Sequence, residues 1–285
     1  MTLGPSKIST QLPGISIQTV DEGPLFSRIQ SGHLLITANS RLSRILKDRY
    51  NHWRIQRGDR QWKSPEILSW ELWLNKLWEN ASLQGINGAD RSVPGERQLI
   101  SLWESTLKTE PLAKKLLRPE ALATQLRDTR KLLSEWLVAL DDPSWFGDEN
   151  ENHTAFHQWN RAFDRRCQQA GWIEPNDRYP VICSAITDGS LATTPSIDLV
   201  GFDELSPARL KLLEALIKKN VSICLLNMTS RQRQAVIWKG KDSRDEIQQM
   251  ARWVRYWYEK EPDTGIAVVV PDLHNRRAEI DRVLA

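Results

Sequence analysis

The sequence predicts an α/β fold carried by a mainly parallel sheet, and three observations lead there. Short, continuous apolar runs recur at 34–37, 197–202, 221–226 and 265–270. Between them lie stretches whose apolar residues return every three or four positions, the period of a helix with one buried face. Buried strands joined by helices of that length belong to a sheet covered on both sides. The alternation is broken once, between about Val93 and Ala170, where only helical patterns remain. The chain accordingly divides into 1–92 for the first part of the α/β domain, 93–172 for a helical insertion, and 173–285 for the remainder.

The first twenty or so residues, rich in Ser, Thr, Gly and Pro, are expected to fray. His33 to Ser40 is a short buried strand running into a polar turn. From Ser40 a helix carries Leu42, Ile45, Leu46, Tyr50 and Trp53 on one face. Glu66 to Leu68 is a second strand, and Ser69 caps a helix with Trp70, Trp73, Leu74, Leu77 and Trp78 at the spacing of a buried stripe. The insertion holds three helical patterns, around Leu99–Thr106, Leu122–Leu140 and Phe156–Cys167, separated by prolines. Strand 197–202 then leads to a helix with Ser206 as its cap and Pro207 at its first position, where a missing N–H costs nothing. After strand 221–226, a helix from about Arg244 shows Ile247, Met250, Ala251, Val254, Trp257 and Tyr258 on one face. Strand 265–270 comes next. The run Glu279–Ala285 is helix-like and stops on apolar residues without a cap, so the chain is expected to continue in its parent.

Composition narrows the function classes. The chain has 285 residues and a formal charge of +3. That balance permits a local nucleic-acid patch without arguing for one. Its thirteen tryptophans fall mostly at helical spacing and suit core packing better than base stacking. Cys167, Cys183 and Cys224 have neither the number nor the spacing of a disulfide framework or a zinc site. No apolar run approaches a membrane span and no signal pattern opens the chain, so a cytoplasmic protein without a membrane partner is expected.

The richest chemical signal is Ile197-Asp-Leu-Val-Gly-Phe-Asp-Glu-Leu205, an apolar run ending in two carboxylates. A strand there would deliver Asp203 and Glu204 to the sheet rim, where an acidic pair holds Mg²⁺ in nucleotide hydrolases (the Walker B role). The plainer reading is a solvated loop whose charge suits the dipole of the next helix. Nothing upstream matches the phosphate loop G-x-x-x-x-G-K-[ST]. In its place stands Thr37-Ala-Asn-Ser-Arg41. Thr37, Asn39, Ser40 and Arg41 could greet an anion at a helix start, or Asn39 or Ser40 could simply cap it. Arg41, Arg44, Lys47, Arg49, Arg54, Arg57, Arg60 and Lys63 cluster around the first helix, with Trp53 and Trp62 among them. Interleaved cations and aromatics can track a single strand through phosphate contacts and stacking; a solvated helix face is the ordinary alternative. Arg161, Arg165 and Arg166 in the insertion invite the same two readings. No metal-ligand or nucleophile–base arrangement is readable.

Three segments taken in order carry a resemblance: Leu35-Ile-Thr-Ala-Asn-Ser-Arg-Leu-Ser-Arg-Ile-Leu46, Leu199-Val-Gly-Phe-Asp-Glu-Leu-Ser-Pro207, and Asp245–Val254 with Ile266–Leu273. Over most of 30–285 the chain resembles the N-terminal part of a bacterial DNA repair protein family similar to the B subunit of AddAB-type helicase–nucleases and, more remotely, to the RecC subunit. The resemblance implies a P-loop-NTPase-like, superfamily 1 helicase-like sheet with a helical insertion. It also implies that a full-length parent carries a second helicase-like domain and a C-terminal PD-(D/E)XK nuclease. Because Thr37 to Arg41 replaces Gly-Lys-Ser/Thr, the chain sits nearer the inactivated, RecC-like state, with no cofactor and ATP or Mg²⁺ only if the degenerate site is active. The expected function is a non-catalytic module that guides or holds DNA, single-stranded or at duplex ends, across the sheet's C-terminal rim and the helical insertion, beside a possible helicase subunit partner. An NTPase with an atypical phosphate site and a protein-docking scaffold are the alternatives.

Overall fold

The structure is a computed structural model and describes residues 12, 14–110, 119–139, 151–229, 236–263 and 265–284. Chain contacts divide it into two compact units, Met1–Thr229 and Ser230–Ala285. In the first, five strands form one sheet, all pairs parallel: β1 (Ile15–Val20), β2 (Leu34–Thr37), β3 (Ile67–Ser69), β4 (Ser196–Val200) and β5 (Ser222–Met228). Their order across the sheet is β1-β5-β4-β2-β3. The α/β class with a mainly parallel sheet therefore stands.

The strand period of two sorts the core into two faces. Leu34, Ile36, Ile197, Leu199, Ile223 and Leu225 pack on one side against α3 (Trp70–Leu83), α7 (Arg178–Asp188) and α8 (Pro207–Lys218). Leu35, Val200, Cys224 and Leu226 take the other side, under α1 (Glu22–Gln30) and α2 (Ser40–Gln56), where Leu25, Phe26, Ile29, Leu46 and Tyr50 meet them. Strands with apolar residues on both faces read as unbroken apolar runs, which is why β2, β4 and β5 are visible in the sequence.

Three features differ from the sequence expectation. Ile15–Val20 does not fray: it pairs along its length with β5, from Ile15 beside Ile223 to Val20 beside Met228. It lies at the sheet's edge with four central residues exposed, so burial left no mark on its pattern. Strand 197–202 ends instead at Val200, because Gly201 turns left-handed at φ 79°. Residues 265–270 form no strand, and most of them are exposed.

Between β3 and β4 stand α4 (Glu96–Thr109), α5 (Pro119–Glu135) and α6 (Glu151–Gln169). Among the described residues of 93–172 there is no strand; a single bridge, Ser92 to Trp172, closes its root. The lobe has its own core of Leu99, Leu107, Leu126 and Trp159 around Trp103 and Phe163, whose rings stack 4.1 Å apart. Arg130 on α5 ties the lobe to the start of α7. It is buried, lies over the Phe163 ring, and reaches Asp164 (2.7 Å), Asp177 (3.4 Å) and Glu174. Glu174 precedes the 3₁₀ turn Pro175–Asp177 that opens α7, so this network joins lobe to sheet layer. Burial, and then the charge of Glu174, pushes the Cys167 thiol up to about 12, which leaves it an inert packing group.

In the second unit, α9 (Ser243–Lys260) is capped by Asp242, which accepts from the Asp245 N–H at 2.8 Å. It meets α10 (Leu273–Leu284), where Arg276 donates to the Ser243 carbonyl at 3.2 Å. Of the apolar α9 face only Ile247 is buried. No described helix is long and apolar enough to cross a membrane.

Burial holds the Glu174 carboxyl above the usual carboxylate range despite Arg130 beside it. A carboxyl raised in the native state binds a proton there before it does in the unfolded chain. Its contribution to stability therefore falls as pH rises from about 4 through the raised value, and is flat above. Arg130→Met removes the compensating charge and widens that window. We expect the variant to lose about 3–5 kcal/mol at pH 7.5 and distinctly less at pH 4.5, relative to the parent at each pH, in urea unfolding.

Candidate nucleic-acid interface

Where strand order reverses, the loops after two neighbouring strands diverge and leave a crevice for a ligand. Here that point lies between β2 and β4, since the chain passes from β2 outward to β3 and returns to β4 on the other side. The turn from β2 to α2 is only Ala38 and Asn39. Asn39 is the cap, its Oδ1 accepting from the Leu42 N–H at 2.9 Å, which decides between it and Ser40. Thr37 is buried, and its hydroxyl donates to the Asn39 carbonyl (2.8 Å), with the Leu68 carbonyl 3.3 Å away as the alternative acceptor, rather than facing outward. Ser40 and Arg41 are exposed at the helix start. Opposite, Gly201 lies against Leu42: a Cβ there would stand 2.5 Å from Leu42 Cδ2. An apolar side chain thus fills the space where a phosphate loop would need open backbone N–H groups.

Asp203 and Glu204 do not sit at the strand end. The strand stops three residues before Asp203, and the loop is pinned by Phe202 and Leu205, both buried; Phe202 meets Trp70 edge-on at 5.8 Å. Asp203 and Glu204 are exposed residues between these anchors. Ser206 occupies the cap position of α8, yet its side chain makes no capping bond. Among the described residues no group of three or more His, Cys, Asp or Glu side chains could hold a metal ion.

The basic residues separate into two sets. Arg49 pairs with Glu22 on α1, and Arg54 with Asp59 at 2.8 Å. Arg57 lies over the Trp53 ring at 4.7 Å, and Trp53 belongs with Phe26 and Tyr50 to an aromatic cluster packed on the core. These three cations are structural at least in part. Arg41, Arg44, Lys47, Arg60 and Lys63 make no ion pair among the described residues. Arg44, Lys47, Asn51 and Arg54 succeed each other at spacings of three and four and form one ribbon along α2. In the insertion, Arg166 is engaged instead, donating to Ser105 and Thr109 on α4, each at 3.1 Å.

The ribbon ends at a cavity of about 340 Å³ at the N-terminal ends of β2 and β3, not at the C-terminal rim. Tyr50, Arg54, Trp62 and Lys63 line it with His33 and Glu66. Arg54 lies near both rings, 5.8 Å from Trp62 and 6.0 Å from Tyr50, and the Trp62 indole donates to Asn51 at 3.0 Å. His33 is backed by Asp198, a wholly buried carboxylate in the middle of β4, with Nδ1 3.1 Å from Oδ2. Arg28 on α1 holds the same carboxylate with two bonds, of 2.6 and 2.9 Å, and that pairing raises the Arg28 pKa. A carboxylate inside an apolar strand signals a buried partner; nothing local in the sequence names Arg28 or His33 as that partner.

Compared with protein-family models and with curated proteins, the chain matches none.

If Leu42 and Gly201 close the crevice against each other, Gly201→Ala meets two penalties. A left-handed alanine costs roughly 1–2 kcal/mol, and crowding a packed contact typically costs about 1–3 kcal/mol. In the double variant with Leu42→Ala the crowding disappears. Urea unfolding should then give a loss smaller than the sum of the single losses by at least about 0.5 kcal/mol.

Proposed function

We propose that this chain is a non-catalytic, helicase-like module that holds single-stranded DNA. The ribbon of cations along α2 is the observation that carries the reading: Arg44 and Lys47 have no ion pair among the described residues, and the ribbon runs into Arg54, Trp62 and Lys63. Cations held ready for phosphates, next to the half-buried ring of Trp62, fit sequence-tolerant binding of a single strand. The resemblance of the three ordered segments to AddAB-type and RecC-like repair subunits supports DNA as the polymer.

The two-residue turn after β2 and the Leu42–Gly201 contact argue against a working ATP site. Phosphoryl transfer rests on charge neutralisation by a loop lysine and Mg²⁺ held in place, and neither a lysine nor an open turn stands here. The docking-scaffold alternative draws no support from Trp103 and Trp159, which are spent on the lobe's own core.

Two measurements test the proposal. ATP turnover by the 285-residue chain should stay at background with Mg²⁺ present; turnover that vanishes in Asp203→Ala would favour the NTPase alternative. Single-stranded DNA should bind at low salt with Kd on the order of 10⁻⁴–10⁻⁶ M and little sequence preference. Arg54 and Arg57 are poor probes, being engaged with Asp59 and Trp53, so the test pair is Arg44→Glu with Lys47→Glu. That double reversal should weaken binding at least tenfold at low salt and flatten the plot of log K against log salt by about 0.7 per lost phosphate contact. An unchanged slope returns the ribbon to an ordinary solvated helix face.

A further inference from the structure

The cavity at the end of the α2 ribbon has a makeup that calls for one kind of ligand. Its volume, about 340 Å³, falls at the lower end of the roughly 300–1,000 Å³ of small-molecule sites. Tyr50 and Trp62 both line it; Tyr50 is buried in the core, whereas Trp62 is half-buried, and both side chains are fixed before any ligand arrives. Trp62 is anchored through its indole N–H on Asn51, and Tyr50 packs edge-on against Phe26 at 5.6 Å. Arg54 sits near both rings with its guanidinium pinned by Asp59, so a planar cation lies beside two aromatic faces. Lys63 at the mouth is exposed and makes no ion pair among the described residues. The cavity's one carboxylate, Glu66, is matched by Lys76 at 2.9 Å. A preorganised wall that is both aromatic and cationic selects a group that is planar and anionic at once.

We infer that this cavity seats one nucleotide of the bound single strand, its base against Trp62 and its phosphate at Lys63. The assignment rests on the DNA-holding reading above and names the place where a strand lying along Arg44 and Lys47 is gripped. Stacking is sequence-tolerant, so the grip sets the strand's position without reading its sequence. Trp62 and Lys63 then contribute differently from the ribbon: they hold one nucleotide, whereas Arg44 and Lys47 hold phosphates on the way to it.

The test uses the 285-residue chain with a short oligothymidylate carrying a single 5-iododeoxyuridine, moved one position at a time, irradiated at long wavelength and mapped by mass spectrometry. Cross-links should reach Trp62 from a narrow window of positions. Lys63→Glu, an exposed change that leaves the packing intact, should lower both cross-link yield and affinity about tenfold, and Trp62→Phe should retain most of both. Binding that persists with cross-links only along α2, or with affinity untouched by Lys63→Glu, overturns the cavity assignment and leaves the ribbon standing. Absence of any binding at low salt overturns both. Free dTMP is the second arm: if it occupies the cavity more tightly than the oligonucleotide binds, the ligand is a free nucleotide and the assignment to a strand fails.

Discussion

A charge buried in the centre of the sheet sets the arrangement of one whole layer. Asp198 has no exposed surface and stands in β4, with β2 on one side and β5 on the other. An unpaired carboxylate there would cost several kcal/mol. Arg28 from α1 answers it with a two-bond grip, and His33 from the approach to β2 stands with Nδ1 3.1 Å from the same carboxylate. That requirement holds the last turn of α1 over the sheet. It also places His33 on the wall of the cavity beside α2. Asp198 thus ties α1 to the sheet and stands behind His33 on one side of the candidate site.

The opposite face is organised by apolar contact with a few polar pins. Trp70 packs against Trp73 and Phe202, and its indole N–H donates to the Tyr179 hydroxyl at 2.8 Å. Arg178, also buried, donates to the Pro175 carbonyl (2.8 Å) and to Asn75 (2.6 Å). The same few residues therefore lock α3, α7 and the loop after β4 together. Asp203 and Glu204 ride on that loop as its polar crest. Their adjacency in sequence suggests a metal site, but the buried neighbours Phe202 and Leu205 determine where they point.

Much of the fold was legible because burial writes a period into the chain. The runs of β2, β4 and β5, the stripe of α3 and the Asn39–Ser40 helix start all arise from apolar spacing or cap chemistry. β1 was illegible for the converse reason: an edge strand with an exposed middle has no apolar run to announce it. Residues 265–270 fail in the other direction, having strong strand composition without a ladder, since composition specifies tendency and a strand also needs a neighbour. For the site, the basic and aromatic residues around α2 were readable as a set. Their division was not, because pairing of Arg54 with Asp59 and stacking of Arg57 on Trp53 depend on how the chain turns after α2. The filling of the crevice by Leu42 was equally hidden, since its counterpart Gly201 lies in a distant segment.

The edge position of β1 has a consequence for how the molecule comes together in time. Among the described residues its only strand neighbour is β5; the Ser16 hydroxyl donates to the Ile223 carbonyl across 207 positions of sequence. During synthesis at about 5–20 residues per second, β1 leaves the ribosome roughly 10–40 s before its partner exists. Over that interval β2 and β3 can pair and α2 can cover them, while Ile15 to Val20 stay without a ladder. Contacts this distant in sequence also slow folding, because the loop must close before the pairing rewards it. β1 is therefore made long before β5 and placed among the last of the five strands, and Ser16, Gln18 and Thr19 in its middle make it less adhesive while it waits.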